Sequence, residues 1–263
     1  MGVRIRGSKT RTRARRSVRV KPRIKSKFQH FLITRFNVRV HFGGGNKGTT
    51  PEWLAHRWPL FFKFCVPSIR EQTAKGRFTW LVLFNEKTPN AWKRKIKRLS
   101  KGVFEPIWTT ERFGSRLVRD LVKERLEPDT KYVLTSRLDS DDLVAKDYIA
   151  RIQSTFNNQT RMFINFKHGI VKVVVGKTVE YRALQHPRSA FLTLIEKATD
   201  KLTTVYCGDH GKVTHKKKGT IRHLRGHYGW IQILHGRNGC SAVRGRRMIA
   251  TELDLMKKVF TVW

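Results

Sequence analysis

Apolar residues fall along the chain in two alternating rhythms. Phe31-Leu-Ile-Thr34, Phe78-Thr-Trp-Leu-Val-Leu-Phe84, Phe104 to Trp108 and Tyr132 to Ser136 are short apolar runs that read as strands. Segments with helical spacing lie between them. Trp58, Phe61, Phe62, Cys65 and Ile69 form one apolar stripe within residues 51–73. Pro67 is expected to kink that helix. Thr88 reads as the N-cap of the next helix, with Pro89 at its first position and Trp92, Ile96 and Leu99 on its buried face. Leu117, Leu121 and Val122 mark a third helix, ending before Pro128. Tyr148, Ile149, Ile152 and Phe156 mark a fourth.

This alternation predicts an α/β fold with a mostly parallel central sheet and helices on both faces. In such sheets ligands bind beyond the carboxyl ends of the strands. Arg35, Asn37, Asn85 and Glu86 sit at such ends, as do three acids after the fourth strand, in Thr135-Ser-Arg-Leu-Asp-Ser-Asp-Asp-Leu143. The parallel rhythm predicts that they converge on one crevice. Alone, the acidic stretch fits a solvated turn, because Asp and Ser are common turn residues. Three carboxylates so close also repel unless something positive sits among them, and a hard divalent cation would serve.

The rhythm changes after Phe156. Met162–Phe166 and Ile170–Val175 read as a hairpin turning at Lys167-His-Gly169. His186 to Glu196 reads as loop then helix, Tyr228 to His235 as a last strand, and the tail from Arg244 as a short helix. The Gly43-Gly-Gly-Asn-Lys-Gly48 loop lacks the spacing of a phosphate-binding P-loop and reads as a surface loop.

Charge modifies this picture. The 263 residues carry 56 Lys and Arg against 19 Asp and Glu, a net charge of +37. Residues 1–27 hold twelve of the basic residues and no acid, and read as a disordered basic arm before a single domain over 28–263. Such a chain adheres to polyanions whether or not that is its function, so contact of residues 1–27 with nucleic acid or an anionic membrane is expected. Three scattered cysteines, Cys65, Cys207 and Cys240, argue against a disulfide framework and for a reducing, cytoplasmic location, and the basic charge adds an expectation of peripheral contact at an anionic membrane surface. The basic start has no apolar segment behind it, so it does not read as a secretory signal. Late in the chain Cys207, His210, His215, His223, His227 and Cys240 offer a competing zinc constellation, in an order that matches no standard finger.

Several of these pieces together resemble the rhamnosyltransferase family. They are Phe31-Leu-Ile-Thr-Arg-Phe-Asn37, Phe64-Cys-Val-Pro-Ser-Ile69 with Gln72-Thr73, the Phe78–Phe84 run, Thr135–Asp142, Ile164-Asn-Phe166, and Trp230-Ile-Gln with Leu234-His-Gly-Arg-Asn238. The resemblance spans roughly residues 28–240. It implies a Rossmann-like glycosyltransferase of the A-type (GT-A) fold with an Asp-x-Asp motif, moving a sugar from a nucleotide-diphosphate donor to an acceptor hydroxyl, with rhamnose as the sugar the family name suggests. Asn85 departs from it, standing where an acid that holds the base is expected, and the Lys-rich stretch around Lys216 looks inserted.

Under this resemblance Thr34, Arg35, Asn37, Asn85, Glu86, Arg137 and Asp139 would line the nucleotide-sugar site. Asp139, Asp141, Asp142 and His235 would hold Mn²⁺ or Mg²⁺ as a Lewis acid on the departing diphosphate, with His210 second to His235. Arg137 would counter the diphosphate or the acids. An inverting transfer needs a base within reach of the acceptor hydroxyl, and Glu196 is expected to supply it, with Asp209 as fallback. Two alternatives come from the charge: a nucleic-acid-binding or virion-type structural protein, and a transferase fold reused as a basic binding module.

Overall fold

The computed structural model describes residues 27–40, 47–74, 78–209, 211, 219–238 and 242–263. The basic residues 1–26, the Gly-rich stretch at 41–46, and His210, His215, Lys216 and Cys240 lie outside them.

The first half of the chain builds strands β1 (Phe28–Arg35), β2 (Thr79–Asn85), β3 (Glu105–Thr109) and β4 (Tyr132–Arg137). They alternate with helices α1 (Pro51–Leu60), α2 (Val66–Arg70), α3 (Asn90–Ser100) and α4 (Ser115–Lys123), and α5 (Tyr148–Ser154) follows. β1 pairs in parallel with β2 on one side and β4 on the other, and β2 pairs in parallel with β3. The chain thus steps outward through β2 and β3, then returns to the far side of β1. This reversal makes the gap between β1 and β4 a topological switch point.

Alternation along the strands splits the core into two layers. Leu32 of β1, Trp80, Val82 and Phe84 of β2, and Tyr132 and Leu134 of β4 face one cluster. Phe31 and Ile33, Leu81 and Leu83, and Val133 face the other. Period-two burial on both faces is what a strand covered by helices on each side requires.

Instead of kinking at Pro67, the predicted helix over 51–73 widens. A π-helical turn over Phe61–Cys65 joins α1 to α2, and the N–H of Val66 reaches back to the carbonyl of Phe61. Thr88 does not cap α3. Its hydroxyl donates to the Asn85 carbonyl at 2.6 Å, and α3 starts after Pro89 without a side-chain cap.

The second half departs more. β6 (Met162–Phe166) and β7 (His168–Val175) do not form the expected hairpin. β6 joins the seven-stranded central sheet, of order β10-β6-β9-β4-β1-β2-β3, in which β9 is Thr193–Lys197 and β10 is Thr220–Leu224. β7 turns instead into β8 (Thr178–Gln185), at the positive φ of Gly176. The expected helix ending at Glu196 is strand β9 (Thr193–Lys197), antiparallel to both β4 and β6. A short apolar run between breakers cannot be told from a helical turn by periodicity alone, and here pairing with β4 decides. β10 (Thr220–Leu224) ends this sheet. A five-stranded sheet, order β12-β8-β7-β11-β5, packs beside it, with β5 (Leu143–Val144), β11 (Trp230–Leu234), β12 (Arg246–Arg247) and the C-terminal helix α6 (Ala250–Val259). Among the described residues no helix is long and apolar enough to cross a membrane.

Candidate functional site at the exit of β4

The acids occupy the loop between the two sheets. The Leu138 N–H donates to the Ile33 carbonyl at 3.1 Å, which extends the β4–β1 pairing past Arg137. The Asp142 N–H donates to the Asp139 carbonyl at 3.2 Å and closes a turn that gathers the three carboxylates. The chain then enters β5, which pairs antiparallel with β11 through Leu143 and Ile231. That pairing carries the end of β11, and His235 after it, to the acids.

Asp141 is the centre of the arrangement. Its Oδ2 accepts from His235 Nε2 at 3.1 Å and from Asn238 Nδ2 at 3.3 Å, and pairs with the guanidinium of Arg57 on α1. With Nε2 protonated, His235 keeps Nδ1 as an acceptor, and His56 Nε2 lies 3.1 Å from it. Asn238 braces the turn by accepting the His235 N–H at 2.8 Å and donating to the Ile233 carbonyl at 2.9 Å. Burial pushes the Asp141 carboxyl up. The His235 hydrogen bond and the Arg57 charge outweigh that and hold it below the ordinary carboxylate range.

Asp142 behaves oppositely. Burial, then the charges of Asp141 and Asp139, drive its carboxyl well above the ordinary value, although Oδ1 accepts the Ile233 N–H at 2.9 Å. Asp139 stands apart across the switch point, its Oδ1 3.4 Å from Arg35 Nε and without a hydrogen bond. Arg137, 8% exposed, has an Nε without a partner. Its guanidinium carbon lies 5.1 Å from the ring centre of Tyr206, whose hydroxyl donates to the Ile33 carbonyl at 3.2 Å. Burial first, then the Asp139 charge, pushes the Tyr206 phenol up to about 12 against the lowering charges of Arg137 and Arg35.

The expected ligand-lining residues divide. Arg35, Arg137 and Asp139 come together with Asp141, Asp142 and His235. Thr34, Asn37 and Asn85 lie at the predicted strand ends but are buried and engaged within the protein. Thr34 Oγ1 accepts from Trp80 Nε1 at 2.9 Å. Asn37 donates to the Gly48 carbonyl and to Thr88 Oγ1, and accepts the Asn85 N–H at 3.0 Å. Asn85 Oδ1 accepts the Lys87 N–H. Glu86 is exposed and pairs with Lys93 at 3.2 Å. These contacts brace the loops after β1 and β2, a role that a list of polar strand ends cannot separate from ligand binding.

Glu196 is not brought to the cluster. The antiparallel register puts it opposite Val133, near the start of β4, whereas the acids follow the end of β4. Six residues of extended chain separate those levels, on the order of 20 Å. Its buried carboxylate accepts from the Thr203 N–H at 3.0 Å, Thr203 Oγ1 at 3.1 Å and the Thr204 N–H at 2.7 Å, and fixes the turn in which Thr204 has positive φ. Asp209 accepts the Gly211 N–H at 3.0 Å and lies on the loop that Tyr206 anchors beside the switch point. The two described histidines of the zinc constellation are engaged elsewhere: His227 lies 2.9 Å from Asp147, and His223 lies 3.2 Å from Asn165.

Sequence reasoning missed Arg57, His56 and Tyr206. Asn238 belonged to the stretch that carried the resemblance, but nothing local gave it a role. Arg57 immediately precedes Trp58, where the apolar stripe begins, and a single cation there reads as solvated surface.

The donor set does not fit a divalent cation. Asp141 Oδ2 is already shared by a guanidinium, an imidazole and an amide, and Asp142 Oδ1 by a backbone N–H. His235 points its Nε2 at the carboxylate itself and not at a common centre. Among the described residues no three His, Cys, Asp or Glu side chains converge on a point where an ion could be held.

A family model described as "Putative rhamnosyl transferase" matches residues 49–247, more than half of the chain. No curated protein matches it. Among solved structures, the chain is similar to S. aureus TarS 1–349, at 13% identity over 79% of this chain and 60% of that one, with a TM-score of 0.41. The same TarS segment in complex with UDP-GlcNAc gives 10% identity, 81% and 60% coverage and a TM-score of 0.42. GalNAc-T7 with UDP, GalNAc and Mn²⁺ gives 14% identity, 60% and 25% coverage and a TM-score of 0.35. The chain thus spans 60% of the length of the TarS 1–349 chain.

Proposed function

We propose that this chain, which belongs to the family described as putative rhamnosyl transferases, transfers a sugar from a nucleoside-diphosphate donor to an acceptor hydroxyl in the crevice between the ends of β1 and β4. One observation carries this reading. Arg35 and Asp139 face each other across the topological switch point of a parallel sheet, where α/β folds of this kind bind ligands.

Asp139 Oδ1, which faces Arg35 but accepts no hydrogen bond, is an acceptor suited to a ribose hydroxyl. Arg35 and Arg137 face the donor diphosphate, whose growing charge they offset as the sugar leaves. In the transfer, the acceptor oxygen bonds to the anomeric carbon while the bond from that carbon to the phosphate oxygen breaks. The nucleoside diphosphate departs with the electron pair. In an inverting reaction a base takes the acceptor proton, and Asp209 is our candidate, because its loop runs beside the crevice and Glu196 lies at the other end of β4. Rhamnose is the sugar suggested by the family description.

The test is release of nucleoside diphosphate from a panel of nucleotide sugars, with Mn²⁺ present in one arm and absent in the other, for wild type and Asp139→Ala. Turnover in wild type that Asp139→Ala removes without loss of fold supports the reading. Absence of both turnover and nucleotide binding, with retention of nucleic acid through moderate salt, favours the basic binding protein instead.

A further inference from the structure

Three guanidiniums surround the acids, and each lies against an aromatic ring. Arg35 lies 5.9 Å from the ring centre of Phe113, Arg57 5.4 Å from that of Trp53, and Arg137 5.1 Å from that of Tyr206. A ring against one face of a guanidinium limits its motion and leaves its in-plane N–H donors for other partners. Two of those donors are buried and unpaired, Arg57 Nε and Arg137 Nε. Leaving a buried charged donor unsatisfied is costly, so both guanidiniums carry donor capacity that the protein itself does not use. The three come from separate elements: Arg57 from α1, Arg35 from β1 and Arg137 from β4.

Asp141 spends its Oδ2 on Arg57, His235 and Asn238, and among the described residues no three His, Cys, Asp or Glu side chains converge as a metal site would need. Asp141 thereby orients Arg57, as an acid orients an arginine in a charge-assisted pair. We propose that Arg57, with Arg35 and Arg137, takes the place of a divalent cation, so that the protein binds the diphosphate of its donor without metal. This rests on the donor reading above and specifies how that site neutralises its ligand. A planar fork of donors matches phosphate oxygens in pairs, and three guanidiniums against a diphosphate supply the charge that a metal would otherwise bring.

Calorimetry on the full chain tests this with UDP, GDP, CDP and dTDP as probes, in EDTA and again in excess Mn²⁺. The expected result is binding of at least one of them in EDTA, with a Kd within about threefold of that in Mn²⁺. Arg57→Gln and Arg137→Gln should each weaken binding in EDTA by about tenfold or more, the size of one lost charge-assisted contact. Their melting temperatures without ligand, and the milder Arg57→Lys, separate this from misfolding. Arg57→Ala frees Asp141, so this variant should gain a response to Mn²⁺ that the wild type lacks. Binding by the wild type only when Mn²⁺ is present would overturn the metal-free site and leave the transferase reading standing. Binding under neither condition would remove the donor reading and this inference with it.

Discussion

His235 Nε2 lies 3.1 Å from Asp141 Oδ2, although 93 residues separate the two in the intervening chain. The β5–β11 pairing creates this contact, and His56 backs the imidazole at 3.1 Å from the other side. His235→Ala should therefore reduce donor turnover by about tenfold, through lost alignment of Asp141 and Arg57, while the fold persists. His235→Gln, which keeps a donor amide, should recover part of it. Steady-state kinetics beside circular dichroism would check this, and unchanged turnover in His235→Ala would refute it.

Asp141 and Asp142 should respond differently to the same substitution. The Asp142 carboxyl is driven well above its ordinary value, so Asp142→Asn replaces a group already inclined to be neutral. Its stability should stay within about 1 kcal/mol of wild type. Asp142→Ala strands the Ile233 N–H and should cost about 1–3 kcal/mol. Asp141→Asn, by contrast, removes the charge that holds Arg57 and should suppress turnover. Denaturant midpoints and turnover of the three variants decide the matter.

Glu196→Gln should damage stability and spare chemistry. The carboxylate accepts three donors from Thr203 and Thr204, so its loss should cost about 1–3 kcal/mol. Turnover per folded molecule should remain that of wild type well below the melting temperature. A folded Glu196→Gln protein without turnover would contradict its distance from the crevice.

Buried His30 should impose a pH dependence on stability. Its Nε2 lies 2.7 Å from Ser136 Oγ, its Nδ1 has no partner, and burial lowers its pKa from 6.5 to about 3. The folded state thus releases this proton more readily than the unfolded one. Its contribution to stability is fully present above pH 6.5 and is lost as pH falls from 6.5 towards 3, by up to about 1.4 kcal/mol per pH unit. Chemical denaturation of wild type and His30→Gln from pH 7 to 4 should show a steeper decline in the wild type.

Gly169 leaves no room for a side chain. A Cβ there would sit 2.0 Å from Cε2 of Trp230, a ring that also stacks on Phe191 with centroids 4.8 Å apart. Gly169→Ala should destabilise the protein by about 1–3 kcal/mol through overpacking. Since Trp230 begins β11, turnover should fall with it. A melting temperature equal to that of wild type would show that β7 and β11 separate easily.

Removing residues 1–26 should lower retention on a polyanion column while donor turnover survives. Lys27, the first described residue, is tied to Asp129 at 2.8 Å and to Glu127, which holds the start of β1 against the turn before β4. Turnover lost together with folding would show the arm to be structural.

Local pattern determined much of this protein. The apolar runs at Phe31, Phe78, Phe104 and Tyr132 and the stripes between them set the strand and helix order through β4, because strands and helices buried against each other must repeat their apolar residues at fixed periods. The same pattern placed Asp139, Asp141 and Asp142 at the exit of β4, and Arg35 at the exit of the parallel strand beside it. Pairing across the chain decided the rest. β9 runs antiparallel into the sheet and sends Glu196 away from the acids. β6 and β7 enter different sheets, and β11 brings His235 and Asn238 to Asp141 while α1 brings Arg57. Which strands become neighbours, and in which direction, follows from the packing of the whole core and leaves no periodic trace in the segments themselves.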